Sequence, residues 1–315
     1  GDFAAAERCL TRSLSLQEER QDKSGTARAL DSLGQLYLKQ GGSGSLDRAQ
    51  RNFEGSLEIR RGLGDELGTA LSYHLLGWVY TDRGFTREGR LCFREAIRLR
   101  SHAGDKDGLC RSLNNLAETY RLAGEAEKAR KYYDEAYRVA TEIGAQGLQA
   151  VILGNLAETD LLQGKGDEAG RRIDLALALT RALGDRPLLA SHLITESKVR
   201  QLQGNATVAR QKAEEALELL EQLQGTEDLG PALRRLGEVL ARTLALLGSA
   251  DTSARARECF RRSIRVLSAA GNDLELARSM EAYAAFLTEQ GSREKGQRYL
   301  QRAREILSRM KRPGP

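Results

Sequence analysis

The sequence predicts an all-α chain, a right-handed superhelical solenoid of antiparallel helix pairs, on three observations. The first is periodicity within residues 108–144, GLCRSLNNLAETYRLAGEAEKARKYYDEAYRVATEIG. Leu113, Leu116, Ala117 and Tyr120 recur at the spacings of one apolar helix face, and Ala129, Tyr133, Ala136 and Val139 do the same. Gly124 lies between the two patterns, where a helix needs a left-handed exit residue. The second observation is self-similarity: Gly64-Asp65, Gly104-Asp105 and Gly184-Asp185 share one frame of 40 residues, and Gly144-Ala145 fills the slot between. The third is composition, with 30% charged residues, 5% aromatic residues and four prolines in 315 positions. That balance is rich in helix formers and poor in strand formers.

The alternation of sizes is the most specific part of the pattern. Ala117 and Ala129 leave room for two helices to approach closely, while Tyr120 and Tyr133 fill the space beside them. The order Leu-small-x-x-Tyr, Gly, then Ala-x-x-x-aromatic-x-x-Ala resembles the tetratricopeptide repeat. That repeat has a period of about 34 residues, so each unit here is longer by about one and a half helical turns. In this it is similar to the long repeats of Pins/LGN scaffolds, kinesin light chains and the sensor domains of bacterial regulators. A globular core of this length would divide in two, but in a solenoid each repeat touches only its neighbours. One domain over 1–315 is therefore expected.

The chain opens inside a repeat. Gly1 stands in the frame of Gly84 and Gly124, so residues 1–21 read as a second helix, with Ala6, Leu10 and Ser13 facing inward. The polypeptide is expected to be part of a longer chain. Seven repeats follow, over about 24–62, 67–102, 107–143, 147–183, 186–223, 227–270 and 273–310. The first carries Leu33, Gly34, Tyr37, Ala49 and Phe53, with GGSGS as a lengthened, flexible turn. The second keeps Leu76, Gly77, Tyr80, Gly89 and Phe93. In the fourth, Asp160 replaces the tyrosine, and in the fifth Glu196 and Arg200 replace the leucine and the tyrosine. These three charges are expected to meet in one network, since a partly buried charge without a partner is costly. The sixth repeat is longer; Leu240, Ala241, Leu244 and Phe260 restore the frame, and SADTSA mirrors GGSGS. The seventh gives Tyr283, Ala284, Leu287 and Gly296, and KRPGP stops the last helix.

Net charge is +5, and from Asp251 onward there are 14 Arg and Lys against eight Asp and Glu. A basic end attracts nucleic acid, lipid or an acidic protein, but these arginines alternate with apolar residues as on a solvated helix face, and no nucleic-acid partner is expected. No apolar run reaches the roughly 18 residues of a membrane span. Cys9, Cys92 and Cys259 share one repeat position and Cys110 replaces Ala70 and Ala150, so all four read as small packing residues suited to a reducing, cytoplasmic setting. His74, His102 and His192 lack metal-binding spacing, and the chain has neither a phosphate-binding loop nor a nucleophile motif. GLGDELG and GKGDEAG are read as turns between helices. The expected function is neither catalysis nor metal chemistry, and no cofactor is expected.

What remains is a protein-binding surface. The resemblance implies that first helices line a concave groove, and the frame then places Arg28, Leu71, His74, Leu75, Trp78, Arg111, Asn114, Asn115, Glu118, Arg121, Asn155, Glu158, Lys198, Arg235 and Arg242 along it. Trp78, the only tryptophan, either anchors a partner's apolar side chain or packs into a repeat junction. Asn115 and Asn155 match the Asn-Leu-Gly/Ala motif of Pins/LGN repeats, where the resemblance implies a grip on a partner's backbone, or they are ordinary solvated amides. Arg111 and Arg121 favour an acidic ligand. Two readings follow: a scaffold that holds a partner peptide or protein face in its groove, or the sensor module of a larger, bacterial signalling protein.

Overall fold

The computed structural model describes residues 3–40, 42–222, 229–248 and 250–310. Among them are fifteen α-helices and no strand. The first is α1 (Phe3–Glu19), the second-type helix expected at the start. Seven pairs follow: α2 (Lys23–Gln40) with α3 (Ser43–Leu63), α4 (Glu66–Asp82) with α5 (Thr86–Ala103), α6 (Lys106–Leu122) with α7 (Ala126–Glu142), and α8 (Gln146–Leu162) with α9 (Gly166–Leu183). The last three are α10 (Arg186–Leu202) with α11 (Ala206–Gln222), α12 (Leu229–Leu247) with α13 (Ala250–Ala270), and α14 (Asp273–Glu289) with α15 (Arg293–Met310). They group into two compact units, Gly1–Thr119 with Arg309–Pro315, and Tyr120–Ser308. The expected roles of Gly1 and of the KRPGP end lie outside the described residues.

The Gly-Asp pairs that set the period act on both sides of a turn. Gly64, Gly104 and Gly184 have φ of 69°, 72° and 67°, a left-handed region that a Cβ disfavours, and they close α3, α5 and α9. The aspartate that follows then starts the next helix. Asp65, Asp105 and Asp185 accept a side-chain hydrogen bond from the backbone N–H of Gly68, Gly108 and Leu188 at 2.8, 3.0 and 3.0 Å. The two residues thus end one hairpin and begin the next.

Within a hairpin, a small residue on the first helix receives a large one from the second. In the first unit, a Cβ built on Gly34 would lie 2.4 Å from the Phe53 ring, and one on Gly77 would lie 2.6 Å from Phe93. Both rings are fully buried. In the second unit Ala157 and Ile173 belong to one buried cluster, and Gly237 faces Phe260, whose ring would lie 3.0 Å from an added Cβ. Gly237, not Ala241, is therefore the small position of the sixth pair. Two apolar patterns overlap there one turn apart, and the 40-residue frame runs through Gly237, with Leu236 and Leu240 buried beside it. The additional residues lengthen the C-terminal end of α12 instead.

The two expected loops are also helical. α3 begins at Ser43 and α13 at Ala250, so most of GGSGS and SADTSA forms the first turn of a second helix; Gly41 and Ser249 lie outside the described residues. The backbone N–H of Leu46 donates to Gly42 O at 3.0 Å, and buried Leu46 and Thr252 hold these turns against the body. Side-chain burial here outweighs the coil preference of Gly and Ser.

The charged residues at apolar positions separate into two networks. Asp160, fully buried, is gripped by Arg130 of α7 and Arg172 of α9. Glu196 pairs with Arg200 at 3.1 Å and with Lys212 at 3.6 Å, and Arg200 reaches Asp174 at 3.0 Å. The expected meeting of Asp160 with Glu196 and Arg200 does not occur, because the second helices supply nearer arginines. These partners lie on α7 and α9, outside the first-helix positions from which the meeting was expected.

Close packing at glycine gives a direct expectation. Gly77→Ala, which forces the Phe93 ring aside, is expected to destabilise the protein by about 1–3 kcal/mol. Gly62→Ala in α3, with open space around it, is expected to be neutral or stabilising by up to about 1 kcal/mol. Urea unfolding midpoints of the two variants check the contrast.

Candidate functional site

The repeat frame stacks equivalent positions of successive first helices. In the second unit, the residue one after the small position is Glu158 on α8, Lys198 on α10 and Glu238 on α12, and the residue two before it is Thr195 or Arg235. Helical spacing puts these on one stripe, and stacking brings the stripes together. Glu158, Lys198 and Glu238 line a cavity of about 500 Å³, whose walls also include Leu161, Leu162, Leu202, Val239 and Leu246 together with Arg121 and Arg242.

Glu158 is the hub. Arg121 lies 3.0 Å from its Oε2, Lys198 Nζ 3.6 Å from Oε1, and the Arg235 guanidinium also binds Oε1. Thr195 donates its hydroxyl to the same oxygen at 3.0 Å. Burial would raise the Glu158 carboxyl, but Arg235, Lys198 and Arg121 together hold it well below the usual range. Burial pushes the Lys198 ammonium down, and Glu158 opposes that shift. Glu238 is bound by Arg234 at 2.9 Å, and Arg234 also reaches Glu275. Arg242 is exposed at the cavity and has no ion pair among the described residues.

The candidates of the first unit are placed differently. His74 and Leu75 are buried, each 8% exposed. His74 Nδ1 lies 3.0 Å from the Ser112 hydroxyl, Nε2 lies 3.2 Å from Asn115 Nδ2, and the ring meets Phe93 edge-on. Asn114 in turn donates to the Asn115 side chain at 3.2 Å. The physical reason is that Arg100 fills the same junction, donating to Gly108 O at 2.6 Å and to Ser112 at 2.7 Å. Arg60 repeats this geometry on Gly68 O and Ser72, with Asp31 at the frame position of His74. Leu71 is half-buried, and Trp78 stands 38% exposed on α4. Arg111 is exposed and pairs with Asp107 at 2.7 Å along its own helix, and exposed Arg28 donates to Ser24. Glu118 and Asn155 are half-buried.

The frame therefore brings Arg121, Glu158, Lys198, Arg235 and Arg242 together and leaves Arg28 and Arg111 as solvated side chains. Sequence reading missed the leucines of the wall. Leu122, Leu162 and Leu202 recur 40 residues apart as exposed ends of first helices, a signal that was present in the frame. Among the described residues no cluster of His, Cys, Asp and Glu could hold a metal ion, and no helix is long and apolar enough to cross a membrane.

A family model for the tetratricopeptide repeat matches residues 82–142 and 148–222. No curated protein matches the chain in sequence. The fold is similar to that of the apo quorum sensor NprR from B. thuringiensis, with a TM-score of 0.68 and 14% identity over 97% of this chain and 83% of that one. It is likewise similar to BtubC (BKLC) from P. vanneervenii, with a TM-score of 0.62 and 19% identity over 72% of this chain and 94% of that one. The Rap conjugation gene regulator of the plasmid pLS20, solved in complex with a Phr peptide, superposes with a TM-score of 0.68 and 13% identity over 93% of this chain and 77% of that one.

Two buried imidazoles give the fold a pH signature. Burial pushes His74 down to about 3, with Arg100 and Arg111 adding to the shift, and pushes His192 down to about 4, with Arg235 adding and Glu158 and Asp185 opposing. Both are neutral in the fold, whereas an unfolded histidine titrates near 6.5. Their contribution is therefore full above that value and is lost as pH falls. Between pH 6.5 and 5, unfolding free energy is expected to drop with a slope approaching about 1.4 kcal/mol per pH unit for each histidine. His74→Gln is expected to remove one histidine's share, and urea titrations at several pH values measure it. A slope unchanged by the substitution contradicts the assignment.

Proposed function

We propose that this chain, whose residues 82–142 and 148–222 match the family model of the tetratricopeptide repeat, is a protein-interaction module that holds a partner's peptide segment against its first helices. The observation that carries this reading is the cavity on α8, α10 and α12, where aliphatic walls surround several charged groups. Peptide sites combine these features, since apolar pockets supply affinity and a few polar groups fix orientation. The walls also favour a peptide over nucleic acid, which would call for a uniformly basic face, because Glu158 and Glu238 stand among the cations. In the first unit, exposed Trp78 is the corresponding candidate anchor. The expected setting is the cytoplasm, and the reading requires no catalytic step.

A second reading is a sensor module of a signalling protein. It is favoured by the Glu158 hub, which ties α10, α12 and the end of α6 to α8 through one carboxylate, so that an occupant of the cavity would act on all four helices. Solved structures of similar fold include a quorum sensor and a regulator bound to a peptide.

Charge reversal at an exposed wall residue tests the groove without disturbing the fold. Arg242→Glu is expected to weaken capture of the partner about tenfold, and Trp78→Ala to cost on the order of 2 kcal/mol of binding. Arg138→Glu on the exposed face of α7 serves as the control and is expected to bind as the unaltered protein does. Titration calorimetry with a partner recovered by pull-down reads all three. Loss of binding in the α7 variant alone would move the interface to the second helices.

A further inference from the structure

The charge balance of the hub is uneven. Three cations, Arg121, Lys198 and Arg235, converge on the single carboxylate of Glu158. Arg242 adds a fourth positive charge on the same cavity wall, while Glu238, the other acid there, is bound by Arg234. Positive charge held in a partly desolvated cleft attracts an anion far more strongly than it would on an open surface. The Glu158 side chain is 12% exposed and lies on the lining of the cavity. Around it stand Leu162, Leu202 and Leu246, each between 46% and 59% exposed. Aliphatic side chains left in water beside cationic groups complement a ligand that is both acidic and apolar.

Resting on the peptide-binding reading above, we propose that this cavity recognises an aspartate or glutamate side chain flanked by aliphatic residues in the partner segment, and that Glu158 holds the place of that carboxylate until it arrives. The geometry gives each group a part. Arg121 and Lys198 already point at one carboxylate from the cavity lining and need little rearrangement to accept another, Arg235 holds Glu158 from beside them, and Arg242 lies at the wall where a second acidic group would pass. The leucines take the neighbouring side chains. Both carboxylates share the three cations once the cavity is filled, which reduces the surplus of positive charge. Inorganic phosphate or nucleic acid would satisfy the cations but leave the leucines uncovered.

Random peptides displayed on phage and selected on the full chain test the proposal. The expected pool is enriched in Asp or Glu next to Leu, Ile, Val or Phe, and synthetic copies with Gln or Asn in place of the acid bind about tenfold more weakly. Lys198→Met is expected to produce a loss of similar size. Glu158→Gln, provided circular dichroism shows it folded, is expected to tighten binding of the acidic peptides, because it removes the competing charge. If it weakens them as Lys198→Met does, the place-holding role is wrong. If it does not fold, the peptide substitutions and Lys198→Met decide the recognition of the acid. Peptides that bind and are lost with Arg242→Glu, yet show no acidic enrichment, overturn this inference and leave the peptide-binding reading standing. A pool with no groove-dependent binder overturns both.

Discussion

The distance between the two helices of a pair is set by what the first helix does not carry. At Gly34 and Gly77 there is no side chain, and Phe53 and Phe93 fill the space a Cβ would occupy. A buried phenyl ring contributes about 1.5–3 kcal/mol through the water it leaves, and it does so only if the neighbouring backbone makes room. Where the second helix offers less bulk the first can carry more, as with Ala157 beside Ile173 in the cluster of the second unit. Where a ring enters the place of a missing Cβ, this matching of sizes fixes the register of the hairpin. Every side chain on the exposed stripe of a first helix is then placed by counting from the small position.

Charged groups tie one hairpin to the next. Arg60 and Arg100 reach from the end of a second helix to a carbonyl and a hydroxyl of the following first helix, and Asp160 is gripped from two second helices. Removing one partner of such a buried set leaves an uncompensated charge, which is costly even where the pair itself adds little. The Glu158 hub differs in kind. It lies on the open stripe, carries more positive than negative charge, and borders exposed leucines, so its arrangement is poorly explained by folding alone.

Much of this was legible in the sequence. Glycine and aspartate at the period of 40 residues announced the turns, because a left-handed exit and a side-chain cap need those residue types. Leucine, a small residue and tyrosine announced the hairpins. The stripe positions of Glu158, Lys198 and Arg235 also followed from the frame. Other features depended on distances the frame does not contain. Which arginine reaches Asp160 is decided across helices, and His74 is buried because Arg100 and Ser112 occupy its junction. Ala241 and Gly237 lie in two apolar patterns that overlap one turn apart, and the Phe260 ring against Gly237 distinguishes them as the 40-residue frame does.

A double-mutant cycle between Gly34 and Phe53 tests the size-matching account most directly. Gly34→Ala and Phe53→Leu are each expected to destabilise the protein when made alone, the first by crowding and the second by loss of buried surface. Combined, they are expected to cost less than their sum by more than about 1 kcal/mol, since the smaller side chain relieves the crowding. Unfolding free energies that add without coupling would show that the ring and the missing Cβ do not set the spacing of the pair.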